Sequence, residues 1–304
     1  MATQQTISPR AWIELMALAG IWGASFICNR IALNEVGVLT TVAFRVAGAS
    51  AVLWLWVAWR GYSLPRAPSV WVSLLVMGVL NNVLPFTLIT WGQLTIPSGL
   101  AAILNAGTAI FGVLLAALLF RDEKLTARKA VGVALGFGGV VTVIGAKALT
   151  HLDLTSVAQL ALICASLSYA FAAAWGRVRL HGLQPQVAAA GMLTGSTLVM
   201  IPAALLQEGL PVLQHTAQVW AALVYLALIS TALAYLLYYR VMAMAGVGNL
   251  SLVTLLVAPV AVLLGALILH EALPLRAYAG FALLALGLMV IDGRLVARIH
   301  RYFA

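Results

Sequence analysis

Asn81 and Asn82 stand side by side in the middle of an apolar run, and Asn105 and Thr108 lie at the same depth in the next one. An amide left unpaired in hydrocarbon costs several kcal/mol, so the two adjacent asparagines require partners: other helices, water or a ligand. Further runs place Trp22 with Ser25, Ser168 with Tyr169, Ser230 and Thr231 with Tyr235, and Ser251 with Thr254 near their midpoints. Helical serine and threonine can bond back to their own backbone, so these hydroxyls alone do not define a site. The amides can meet a substrate amide or carboxylate, while Trp22, Tyr169 and Tyr235 offer an apolar wall with a polar edge. This is the chemistry of recognition, not of bond making. The chain has no His-Glu-x-x-His, no Gly-x-Ser-x-Gly, no P-loop and no pair of intramembrane aspartates. Its five histidines are scattered near loops and termini, and Cys28 and Cys164 lie inside apolar segments. No disulfide framework, metal site, cofactor or enzymatic activity is expected.

Charges inside apolar segments are paired or functional. Arg45 lies a turn or more inside its run, Arg30 near the end of the first run, and Glu35 in the connection between them. Two readings stay open: a local clamp of Arg30, Glu35 and Arg45 at the outer face, or recognition of a substrate carboxylate. Glu14 lies one turn from the start of the first run, where a carboxylate can reach water and favour a helix N-terminus, so it is not expected to carry a coupling proton.

The elements that position these residues follow from composition. Of 304 residues 63% are hydrophobic and 8% are charged, against roughly 25% charged in a soluble domain. Lipid must cover the surplus apolar surface. Ten runs are long enough to span, at about 12–32, 40–59, 70–92, 99–120, 129–147, 157–178, 186–206, 217–239, 248–269 and 275–293. The expected fold is all-α and integral to the membrane. With the N-terminus in the cytoplasm, every Lys and Arg except Arg30, Arg45, Lys147 and Arg276 falls inside, as the positive-inside rule requires. The basic residues stand singly or in small groups, which excludes a nucleic-acid face. A multi-pass protein of a bacterial-type inner membrane with both termini cytoplasmic is expected.

The chain also repeats itself. Glu123, Leu125, Arg128, Gly132, Ala134 and Gly139 recur as Glu271, Leu273, Arg276, Gly280, Ala282 and Gly287, always at the same spacing. A duplicated hydrophobic half is a sign of a secondary transporter built from repeats. Five spans in each half is an odd number, so residues 151–304 must run inverted relative to residues 1–150. The glycines Gly132, Gly136, Gly138 and Gly139 read as a packing surface.

Trp22-Gly23-Ala24-Ser25-Phe26, Phe44-Arg45, the stretch from Ile96 to Asn105, and the Glu-x-Leu turns at Glu123 and Glu271 resemble the EamA family of the drug/metabolite transporter superfamily. The second copy has Pro259 in its fourth helix; the first has Ala109-Ile110 there, which leaves a break in that helix open. The resemblance implies ten helices, cytoplasmic termini and a central cavity lined by helices 1, 3, 4, 6, 8 and 9, which are the helices with polar midpoints. It implies transport of a small metabolite, most often export of something amino-acid-like. Import of a vitamin-like heteroaromatic is an alternative, and a lipid-handling or structural membrane protein a further one. The expected substrate site is Trp22, Asn81, Asn82, Asn105, Thr108, Tyr169, Thr231 and Tyr235.

Overall fold

A computed structural model describes residues 8–121, 125–144, 154–180, 182–245 and 252–292, and among these every regular element is a helix. Helix α1 spans Pro9–Ala32 and α2 Val38–Trp59. Helix α3 runs from Pro68–Gly78 through a wide segment, Val79–Val83, into Leu84–Gly92. Helix α4 comprises Ser98–Asn105 and Thr108–Leu119. Helices α5, α6 and α7 are Ala127–Ile144, Leu154–Arg179 and Pro185–Gln207. Helix α8 passes through Ala217–Val224, a second wide segment at Tyr225–Leu233, and Ala234–Ala245. Helices α9 and α10 are Leu252–Ile268 and Leu275–Asp292. The starts obey local rules: Ser8 accepts from the Ala11 amide, and α1, α3 and α7 begin with proline, whose missing N–H costs nothing there.

Among the described residues seven helices are long and apolar enough to cross a membrane, and Leu256–Ile268 and Leu275–Gly287 are shorter apolar helices. Large apolar side chains crowd the outside: Ile13, Leu55, Leu118, Leu198 and Leu206 are each more than two-thirds exposed. In water such a surface would drive aggregation; in a bilayer it is the lipid face. Inside, one core joins α1, α4 and α9, and another joins α2, α3 and α7. Tyr169 of α6 packs against both.

The glycines behave as the sequence suggests, with one exception. A Cβ on Gly139 would lie 2.6 Å from the Gly280 carbonyl oxygen and from the Leu284 amide, and one on Gly287 would lie 2.5 Å from the Gly132 oxygen and 2.7 Å from the Gly136 amide. Helices α5 and α10 thus touch backbone to backbone. The contact is reciprocal between repeated positions, which is the pattern of a two-fold interface. Gly138 faces open space and takes no part.

Two features were not foreseen. The wide segments of α3 and α8 replace the ordinary i→i−4 pattern, and such π segments cluster at functional sites. They leave carbonyls for side chains to satisfy. Ser196 bonds the Gly78 oxygen and Ser168 the Leu80 oxygen in α3. Trp22 bonds the Ser230 oxygen, and both Ser230 and Thr231 bond the Leu226 oxygen, in α8. The open question about α4 is answered by a tight turn at Ala106–Gly107, where the Gly107 amide donates to the Leu104 oxygen rather than to the carbonyl one residue further back.

Candidate functional site

The wide segment of α3 presents Asn81 and Asn82 to α7 and α8. The Tyr235 hydroxyl donates to Asn82 Oδ1 at 2.7 Å and accepts from Asn81 Nδ2 at 2.9 Å. Asn82 Nδ2 donates to Ser196 Oγ at 3.0 Å, and Asn81 Nδ2 also approaches Met192 Sδ at 3.8 Å. Asn82 has no exposed surface, so its amide is a strut between helices. Asn81 is half-buried, and its carbonyl oxygen has no hydrogen-bond donor among the described residues. Of the two expected asparagines, Asn81 is therefore the one free to bind.

One turn before Tyr235, the second wide segment presents Thr231. Its hydroxyl donates to the Leu226 oxygen at 2.8 Å and accepts from Arg45 Nε of α2 at 2.9 Å. The Arg45 guanidinium lies 3.7 Å from the centroid of the Phe86 ring, and the residue as a whole is only 6% exposed. Trp22 closes the other side of the segment: its Nε1 donates to the Ser230 oxygen at 3.1 Å, and its ring tilts against Tyr238 at 5.9 Å. The structure thus gathers Trp22, Asn81, Asn82, Tyr169, Thr231 and Tyr235 around the two wide segments, with Arg45 among them.

Asn105 and Thr108 belong to a different neighbourhood. The Thr108 hydroxyl donates to the Asn105 backbone oxygen at 2.7 Å, closing the α4 turn. That role explains Thr108 without a ligand. Asn105 Oδ1 is buried without a partner, and no hydrogen bond joins it to the cluster on α3 and α8.

The clamp expected of Arg30, Glu35 and Arg45 is not formed, because each has another partner. Glu35 accepts from the Thr216 amide at 2.9 Å and hydroxyl at 2.7 Å, capping α8, with His215 Nδ1 at 3.3 Å. The Thr216 hydroxyl, then its amide, then His215 hold this carboxyl below the usual carboxylate range. Arg30 donates to the Gln93 backbone oxygen. Arg45 points inward to Thr231. The same end of the bundle holds a buried network that residue types alone did not mark. Asn29 Nδ2 donates to Gln93 Oε1 at 3.2 Å, and Gln93 Nε2 donates to the Phe26 oxygen at 2.7 Å and to Ser98 Oγ at 3.2 Å. Gln93 read as a connection residue, but its side chain is fully buried. Glu271 accepts from the Ser98 amide and hydroxyl and from the Gly99 amide, as expected of a carboxylate tying a loop to backbone N–H groups. Glu123 lies outside the described residues.

At the opposite end, Glu14 is paired with Arg240 of α8 at 2.5 Å and with Arg10 at 3.4 Å, and its Oε2 is buried without a partner. It is therefore a link between helices rather than a group free in water. Trp91, a candidate pocket wall by type, is exposed, and Trp175 is held by the Ser73 oxygen away from the cluster. Among the described residues no group of His, Cys, Asp and Glu could hold a metal ion. Between α2 and the first part of α8 lies an apolar cavity of about 190 Å³, lined by Phe44, Gly48, Trp220, Leu223, Ala227 and their neighbours, with no basic residue.

The chain was compared with known proteins. It is 29% identical over 299 residues, covering 96% of both chains, to a Streptantibioticus cattleyicolor protein named a probable terminal-alkyne amino-acid exporter. It is 22% identical to an uncharacterized transporter of Archaeoglobus fulgidus, covering 93% of this chain and 98% of the relative, and 25% identical to protein PecM of Dickeya dadantii, covering 90% and 89%. A crystal structure 18% identical in sequence superposes with a TM-score of 0.68 over 95% of this chain and 99% of the other, which establishes the likeness of fold. The model of the EamA-like transporter family matches twice, over residues 10–145 and 156–292. A membrane-embedded helical bundle, two family matches in one chain and transporter relatives along nearly its whole length agree: the chain belongs to the EamA-like transporter family.

Proposed function

We propose that this transporter exports small amino-acid-like metabolites by alternating access. In this reading ten spans form two inverted five-helix repeats, residues 1–150 and 151–304, in a bacterial-type inner membrane with both termini in the cytoplasm. The observation that carries it is the hydrogen-bonded cluster of Asn81, Asn82 and Tyr235, which joins a helix of the first family match to one of the second. Repeats that rock about a midplane site would open and close such a cluster. The ammonium or an amide N–H of a substrate would donate to the free Asn81 oxygen, with an apolar side chain against Trp22. The relative named for a terminal-alkyne amino acid supports a cargo with a polar head and an apolar tail. A lipid-handling role would call for basic residues beside a lateral opening, and the cavity between α2 and α8 has none.

The test is efflux from proteoliposomes loaded with labelled norleucine, leucine, threonine, or a vitamin such as riboflavin. Norleucine and leucine are expected to leave fastest, and Asn81→Ala to raise the half-saturating concentration about two- to tenfold, one hydrogen bond's worth. Efflux of riboflavin but of no amino acid would replace this reading with the import or export of heteroaromatic compounds.

A further inference from the structure

We infer that Arg45 is the receptor for the carboxylate of the cargo; this rests on the amino-acid reading and names the group that fixes it. Arginine stays charged in any protein interior, and a buried charge requires compensation. No carboxylate forms an ion pair with Arg45 among the described residues: Glu14, Glu35, Glu208 and Glu271 are engaged with Arg240, Thr216, the α2 amides and the α4 amides. What Arg45 does have is a neutral hydroxyl on Nε and an aromatic face below the guanidinium. Both leave the outer edge of the fork unused. Neither Nη nitrogen has a hydrogen-bond acceptor among the described residues, yet neither is among the buried atoms left without partners, so both keep a little accessible surface. The arginine is held by one edge, and its other edge is unpaired.

That edge presents parallel N–H groups, the geometry that matches a planar carboxylate bidentately. The site is preformed. Thr231 is itself anchored to the Leu226 carbonyl within the wide segment, and Phe86 fixes the plane of the guanidinium. A neutral amide would leave the cation uncompensated and a protonated amine would repel it, so the site selects molecules with a carboxylate over the same molecules without one.

The experiment compares purified full-length protein by thermal shift in detergent, using norleucine, norleucine amide, hexanoate, hexylamine, sodium chloride and sodium phosphate. Norleucine and hexanoate should stabilise the wild type, and the amide and amine should bind roughly ten- to a hundredfold more weakly, the worth of a charge-assisted pair. Arg45→Gln should abolish the difference between acid and amide. Arg45→Lys, which keeps the charge but loses the fork, should retain it at reduced affinity and serves if the glutamine variant does not fold. Equal binding of acid and amide to the wild type, undiminished preference for the acid in folded Arg45→Gln, or stabilisation by chloride or phosphate but not by carboxylates would each overturn the assignment. The two readings fail separately. Amino-acid efflux that is unchanged in Arg45→Gln refutes the receptor alone, whereas carboxylate binding through Arg45 without efflux of any amino acid refutes the export reading alone.

Discussion

Replacing Tyr235 by Phe removes a single oxygen that two asparagines share, and the structure sets the size of the effect. The hydroxyl donates to Asn82 Oδ1 and accepts from Asn81 Nδ2. Asn82 is completely buried, so its oxygen would be left without a donor, at a cost of about 1–3 kcal/mol. The lost bond to Asn81 adds roughly 0.5–1.5 kcal/mol, softened because Asn81 is half-buried and can turn to water. The sum is about 2–4 kcal/mol. Asn82→Leu in the same background should recover part of that loss, because it removes the stranded oxygen. It also releases Ser196, which keeps the Met192 and Gly78 carbonyls as acceptors. The assay is reversible unfolding in detergent of the wild type, both single variants and the double variant, read as a double-mutant cycle. Coupling of at least about 1 kcal/mol between the two sites is expected for residues in one hydrogen-bonded network. Additive single losses, or a Tyr235→Phe protein as stable as the wild type, would refute the idea that this network holds α3 to α8.

Gly139→Ala and Gly287→Ala should each destabilise by about 1–3 kcal/mol, and by similar amounts, because each drives a Cβ into the backbone of the facing helix in a reciprocal contact. A variant pair of which one is neutral in a thermal melt would show that the contact is not two-fold in energy. Glu35 has its carboxyl held down by Thr216 and His215, so the cap it provides should be fully present above the usual carboxylate range and lost as pH falls through the lowered value. The stability difference between wild type and Glu35→Gln should therefore shrink on acidification and be constant near neutrality; a difference that grows with acid would reverse the sign. Cysteines placed near Arg66, Arg128 and Arg179 should label only from the cytoplasm, and those near Pro97 and Gly209 only from the opposite side; labelling of the Arg128 and Pro97 sites from one side would refute the inverted arrangement.

Seven of the expected spans were legible because lipid imposes a length and a composition on every crossing helix, and those helices begin and end within a few residues of the apolar runs. The glycine interface was legible because small residues at repeated positions have few other uses in an apolar helix. The wide segments were not: one extra residue per turn leaves no mark on composition, and polar side chains near a midpoint are equally compatible with an ordinary helix. The only hint was their placement, with Asn81-Asn82 and Ser230-Thr231 at nearly corresponding positions of the two halves.

The clamp reading of Arg45 fails for a physical reason. Its sequence distance from Glu35 is short, which suggests a clamp. Helix α2 starts at Val38, however, and seven residues of helix carry Arg45 about 10 Å below that end. An extended glutamate in the connection does not span that depth, and Glu35 already has a nearer donor in the free N-terminus of α8. The carboxylates at this end all follow one logic: Glu35, Glu208 and Glu271 each cap the N-terminus of a helix distant in sequence, α8, α2 and α4. Helix starts concentrate unpaired N–H groups and a partial positive charge, so they outcompete a buried arginine for acids that can stay near water. Once the loops' acids are taken in that way, the one guanidinium placed deep beside the wide segments is left with a hydroxyl, a ring and an open edge. The receptor role proposed for Arg45 rests on that open edge.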